Sequence, residues 1–251
     1  MDYPAHIEYA LHLADNALIL GHRNSEWTGH GPILEQDIAL SNIALDLIGQ
    51  ARYLYQYAAG QIGSDTTEDK LAYGRDAWDF RNCLLVEQDN GDWGKTVLRQ
   101  FLFSAWQYSF YGQLQNSRDR ELAAIAEKSV KEVTYHLRWS SEWVIRLGDG
   151  TEESHARMER ALDQLWKFTG ELLVPAAYER ALSAAGVAVD LAPLGPVWRR
   201  RAEEVLAEAQ LSLPDAAWMQ RGGKEGRHTE HLGYLLAEMQ FLQRTYPGCE
   251  W

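Results

Sequence analysis

The chain has 251 residues and a formal net charge of −12, which leaves no basic surface large enough to neutralise a phosphate backbone and excludes nucleic acid as an expected partner. Acidic lipid surfaces are disfavoured for the same reason, and the length fits one domain, residues 1–251, that buries a sizeable core without staples. Two cysteines, Cys83 and Cys249, have neither metal-ligand spacing nor the density of a disulfide framework, which suits a reducing compartment.

The N-terminal twenty residues carry acids and histidines where a signal peptide carries lysine and then an unbroken apolar run. No stretch of about 18 apolar residues follows, so no membrane span is expected and the protein reads as soluble and cytoplasmic. From Ala5 to Leu20, the recurrence of Ile7, Leu11, Ala14 and Leu18 predicts a helix. Pro32 suits a first helical turn, and Glu35 and Asp37 complement the positive dipole end of a second long helix that runs to Ala59 and stops at Gly60. Residues 61–92, with three glycines and short apolar pieces, predict a connection with one or two short helices. A third long helix covers Trp93 to Asn116 and a fourth covers Glu121 to Leu147. Gly148-Asp149-Gly150 stops the fourth, and Ala156 to Ala184 reads as further helix broken at Pro175. Two amphipathic helices, 197–210 and 230–245, end the pattern. Short links within each pair and a long connection between pairs predict an all-α, ferritin-like four-helix bundle with additional C-terminal helices.

Helices of 25 to 30 residues are roughly 40 Å long and enclose a centre where a cofactor can sit. In four-helix di-iron proteins, two helices each give a carboxylate and the other two each give a Glu-x-x-His pair. The first helix here offers Asp15. The second offers Asp46, but three residues on stands Gly49, and the helix has no histidine. From Trp93 through Ser117 there is no Asp or Glu at all, and Phe101, Phe103, Trp106, Tyr108 and Phe110 read as core instead. The fourth helix carries "KEVTYHLRWS", in which Glu132 is followed at the ligand spacing by Tyr135, and the histidine arrives one residue late as His136. Two true Glu-x-x-His strings, Glu152 with His155 and Glu225 with His228, lie away from the bundle centre.

The stretches "SEWTGHGPILEQDIALSNIALDLIGQAR" (Ser25 to Arg52), "LLVEQDNGDW" (Leu84 to Trp93), "KEVTYHLRWS" (Lys131 to Ser140) and "GGKEGRHTEHLGYLLAEMQFLQR" (Gly222 to Arg244) resemble, in order, the structural subunits of bacterial ring-1,2-phenylacetyl-CoA epoxidases. The resemblance implies a non-catalytic subunit of a multicomponent oxygenase. It implies no cofactor in this chain: a sister catalytic subunit, PaaA-like and also ferritin-like, holds the di-iron pair and binds the CoA thioester, and the two pair within the epoxidase complex. On this reading Asp15, Asp46 and Glu132 are remnants of a di-iron site, with Gly49 and Tyr135 where histidines are needed and His136 out of phase. Two other readings stay open. One is an active di-iron oxygenase or ferroxidase using Asp15, Asp46, Glu132 and His136. The other is a ferritin-like scaffold or binding protein acting alone, against which stand ten Trp and twelve Tyr, hard to hide in a monomer.

In an acidic chain, RGGKEGRHTEH (221–231) gathers Arg221, Lys224 and Arg227 within seven residues. Glycines 222, 223 and 226 let backbone N–H groups converge, and Thr229 suits the N-cap of the helix that bears Leu232, Leu235, Leu236, Met239 and Leu242. The segment therefore reads as a basic loop that contacts a partner or an anion.

Overall fold

The structure is a computed structural model that describes residues 3–214 and 218–249. Four long helices form the bundle: α1 (Ala5–Ser25), α2 (Leu34–Ile62), α5 (Trp93–Leu114) and α6 (Arg120–Gly148). Between α2 and α5 lie the short α3 (Glu68–Tyr73), a 3-10 turn over 77–79, and α4 (Leu84–Glu87). Among the described residues there is no strand.

Local chemistry fixes where the long helices begin and end. Asp92 caps α5 by accepting from the Lys95 N–H at 2.9 Å, and Asp119 caps α6 by accepting from Glu121 and Leu122, both at 3.0 Å. Helix α2 starts after Pro32 rather than on it, because the Asp37 carboxylate takes the Gly29 and Gly31 N–H groups and folds the link back. It also runs past Gly60 and stops at Gly63, whose φ of +137° lies in the region that favours glycine.

Side-chain pairs give the directions. Asp15 meets Tyr55, and Gly21 lies against Leu47, so α1 and α2 are antiparallel. Asn24 bonds Gln100, and Trp27 bonds Thr96 just beyond the end of α1, so α1 and α5 are antiparallel as well. Asp46 meets His136 and Gln50 meets Glu132, which sets α6 antiparallel to α2. Helices α2 and α5 are then parallel, as a long crossover between two antiparallel pairs requires.

The later elements cover one side of the bundle. Helix α7 (Glu152–Leu165) opens on a Thr151–Ser154 capping box, four residues before the sequence signal, and packs on α5 and α6. Its regular helix ends ten residues short of Pro175 and gives way to 3-10 turns over 166–168 and 170–173. These turns bring Glu171 into the interior, where its carboxylate is used. Helix α8 (Ala177–Ala184) packs on α1, and α9 (Leu194–Glu208) packs on α5 and α6. Its Trp198 donates to the Leu102 carbonyl at 3.0 Å and stacks on Trp166. The last predicted helix is two, α10 (Glu230–Met239) and α11 (Phe241–Thr245), parted at Gln240, whose amide donates to the Ala72 and Arg75 carbonyls.

The aromatic load is largely hidden, contrary to the expectation from its size. Phe101, Phe103, Trp106 and Phe110 are buried along α5, while Tyr108 is partly buried beneath Arg201. Trp27, Trp139 and Trp143 pack edge-on around Trp93, and the Gln36 side-chain oxygen accepts from Trp139 and Trp143 at 2.9 and 2.7 Å. Among the described tryptophans only Trp78 and Trp218 are exposed.

Candidate functional site

The centre between α2, α5 and α6 holds a chain of neutral amides. Gln107 of α5 donates to the Gln50 side-chain oxygen at 3.1 Å, and Gln50 donates to Glu132 at 2.9 Å. Tyr111 also reaches the Gln50 oxygen, at 3.4 Å. One turn away on α2, the Asp46 carboxylate lies 3.0 Å from His136 Nε2. His136 is fully buried and its Nδ1 has no partner among the described residues, whereas the Asp46 side chain is 37% exposed. Partial burial, reinforced by the nearby Asp46 charge, raises the Glu132 carboxyl pKa, while the Gln50 hydrogen bond opposes that rise.

The structure thus brings Asp46, Glu132 and His136 to one level of the bundle. Tyr135 lies at the surface of α6, its ring edge-on to that of the buried His136. Gly49 is partly exposed, and a Cβ built there meets nothing within 4 Å. Asp15 is not with them. Its partner Tyr55 lies nine residues beyond Asp46, a displacement of about 13 Å along α2. Its carboxylate accepts from Tyr55 Oη at 2.5 Å, from the Arg81 N–H at 2.7 Å and from both terminal nitrogens of Arg75. Burial opposes the charge on Arg75, yet Asp15 and Tyr55 hold its pKa above the ordinary arginine value. Asp15 is a fully engaged anchor for the crossover, and a ligand set of Asp15, Asp46, Glu132 and His136 does not converge. Among the described residues, no group of three His, Cys, Asp or Glu side chains is arranged to hold a metal ion.

The 221–231 segment corrects its sequence reading. The converging N–H groups are present, but the anions that meet them belong to the chain. Glu171 accepts from Gly222 and Leu84 at 2.8 Å each and from Lys224 at 3.3 Å. At the start of α10 it is Glu87 that accepts from the Thr229 N–H (2.6 Å) and hydroxyl (2.8 Å), so Thr229 does not cap its helix. Glu87 also accepts from Asn82 and lies 2.7 Å from His228 Nδ1. Lys224 is buried against Glu179 at 2.9 Å, which removes it from any partner or anion contact. Arg221 and Arg227 remain exposed beside a hollow of about 480 Å³, and Arg227 pairs with Glu225. Glycine is dictated by approach: a Cβ on Gly223 would stand 2.2 Å from the Asn82 carbonyl oxygen, and one on Gly226 2.4 Å from that of Trp78. The segment is a clasp across the crossover.

Comparison with known proteins agrees with the resemblance seen in the sequence. The family of phenylacetic acid catabolic proteins matches residues 2–251. The chain belongs to that family. It is 47% identical over 243 residues to the C subunit of 1,2-phenylacetyl-CoA epoxidase from Escherichia coli (strain K12), a match that covers 97% of this chain and 98% of that relative.

In this family member the buried polar residues that sequence reasoning missed include His12, Arg75, Glu87, Arg99, Glu171 and Glu179. Some carry a faint signal, a lone charge that follows an apolar run, as in Leu84-Leu85-Val86-Glu87 or Val97-Leu98-Arg99, whereas Arg75 beside Asp76 and Glu179 beside Arg180 carry none. Arg99 has its pKa pushed down to about 9, chiefly by burial and then by Arg23. Its guanidinium donates to the Gln88 and Asp89 carbonyls and to the Asn90 side chain, which ties the end of the crossover to α5. His12 sits between the Arg81 carbonyl at 2.7 Å and Glu179 at 3.9 Å, and burial lowers its pKa to about 4. No helix is long and apolar enough to cross a membrane among the described residues.

Proposed function

We propose that this chain is a structural, non-catalytic subunit of a multicomponent di-iron oxygenase, the phenylacetyl-CoA epoxidase of aerobic phenylacetate catabolism. It pairs with and supports an iron-bearing catalytic subunit and holds no iron itself. The observation that carries the reading is the Gln107–Gln50–Glu132 chain. An iron pair needs carboxylates from all four helices and two histidines in phase with them. Here α5 brings an amide to the centre, α1 spends its carboxylate on Arg75, and Asp46 and Glu132 lack histidines at the required spacing. The residues present do not fit the metals, so no oxygen chemistry is assigned to them. The kinship with an epoxidase subunit supports the place of the chain in such a complex.

The test is reconstitution. The purified chain is combined with the separately produced catalytic subunit and the remaining components, and iron and turnover of phenylacetyl-CoA are measured for each part and for the whole. Iron is expected in the catalytic subunit, with turnover only when this chain is present. About two irons per molecule in this chain alone, or full turnover without it, would overturn the reading.

A further inference from the structure

The outer face of α2 carries few charges for a solvated helix face, Glu35 and Arg52 at its ends. Leu34, Ile38, Leu45 and Gly49 follow one another at spacings of four, seven and four residues and so share one side of the helix, with Tyr53 one turn on. Leu34, Ile38, Leu45 and Tyr53 are 71%, 51%, 66% and 43% exposed, over a length of roughly 28 Å. Of the ionic residues beside them, Asp37 holds the Gly29 and Gly31 N–H groups, Asp46 meets His136 and Arg52 pairs with Glu68, which leaves Glu35 as an exposed carboxylate at the N-terminal end. Charge depletion around large apolar groups marks the core of a protein–protein interface.

Gly49 sharpens the argument. A glycine inside a helix costs about 1 kcal/mol relative to alanine. Gly21 has an internal reason, since a Cβ there would press Ile48 at 3.1 Å and the Ala44 carbonyl oxygen at 3.3 Å. Gly49 has none within this chain. With Leu45 before it and Tyr53 after it, its missing side chain leaves a notch into which another helix backbone can settle. Two cations of α6 stack on tyrosine rings, one of them on Tyr53 of this face. Lys128 Nζ lies 4.3 Å from the Tyr53 ring centroid and donates to its hydroxyl, and the Arg138 guanidinium lies 5.8 Å from the Tyr135 centroid. Neither makes an ion pair with a described carboxylate. A second copy docked through the same face would bring Lys128 against Lys128, whereas a different subunit with acidic side chains at that rim would meet it with opposite charge.

We infer that the α2 face is a docking surface for a helix of the catalytic subunit, with its backbone over Gly49, apolar side chains against Leu34, Ile38 and Leu45, and carboxylates toward Lys128. The inference rests on the proposed pairing with an iron-bearing helical subunit and names where that pairing occurs. Three variants of the full chain test it: Leu45→Glu, Gly49→Leu, and Tyr234→Glu on the exposed side of α10. Affinity for the purified, iron-loaded catalytic subunit is measured by calorimetry, alongside the thermal midpoint and the solution mass of each variant alone. Leu45→Glu and Gly49→Leu are expected to bind at least tenfold more weakly with folding intact, and Tyr234→Glu to bind like the parent. Gly49→Leu decides the matter if Leu45→Glu folds poorly, because its side chain meets open space in this chain. Parental affinity in both α2 variants would overturn the surface while leaving the pairing standing. A parent chain that does not bind the catalytic subunit at all would overturn the pairing and the surface together. Loss of self-association with unchanged hetero-affinity would show that a second copy covers the face, and would also overturn the assignment.

Discussion

At the bundle centre Glu132 is half-buried and met by a single side-chain amide, whereas beneath the crossover Glu87 accepts from Asn82 and from both Thr229 groups and faces His228. Asp15 and Glu171 resemble Glu87, each buried and surrounded by donors from segments distant in sequence, while the buried Glu179 takes one distant donor, Lys224, and the nearby Ala176 N–H. Burial alone therefore does not distinguish a carboxylate of the bundle centre from a structural anchor. The number and origin of the donors does. Each carboxylate of the centre meets a single side-chain partner, and the crossover lattice is held by several charged bonds that are costly to break singly.

That contrast is open to direct attack. Arg75→Ala leaves Asp15 buried with only Tyr55 and the Arg81 N–H, and should cost about 4 kcal/mol in chemical denaturation. A loss below about 1 kcal/mol would remove the distinction between the regions. A smaller effect is expected from acid. Burial lowers the His12 pKa from 6.5 to about 4. The unfolded chain therefore binds a proton that the folded chain refuses between those values, and the His12 contribution to stability, on the order of 3 kcal/mol, is lost as pH falls through that window. Replacing His12 with Asn should flatten that part of the stability–pH curve. At the centre, Gln107→Leu removes a neutral bond to Gln50 and should cost about 1 kcal/mol by the same denaturation assay. A cost equal to that of Arg75→Ala would mean that the centre is knit as tightly as the crossover.

The four long helices were legible because their cores repeat at helical spacing and because Asp92 and Asp119 stand at the starts of α5 and α6. The boundary at Gly63 was hidden behind Gly60, which the helix tolerates on its exposed side. For the candidate site, the companionship of Asp46, Glu132 and His136 follows from two antiparallel helices in register. Asp15 was misplaced because helical periodicity fixes which side a residue occupies but not its level against a neighbouring helix. The roles of Lys224 and Glu171 lay beyond local reading altogether. A cation between glycines has the same sequence signature on a mobile loop as in a clasp, and only Glu179, 45 residues upstream, tells them apart.

The clasp has a consequence for biosynthesis. All four long helices have been translated by Gly148, yet Glu87 meets Thr229 across 142 positions and Arg23 reaches the His231 carbonyl across 208. Until those late residues leave the ribosome, Glu87 has only Asn82 of its side-chain partners and Arg23 lacks one of its carbonyl acceptors, so the crossover closes last. Closure by segments so distant in sequence slows completion and lengthens the time during which apolar helix faces are exposed. For a chain whose α2 face stays apolar even when folded, that interval is when early encounter with a helical partner, or protection by a chaperone, has the most to contribute.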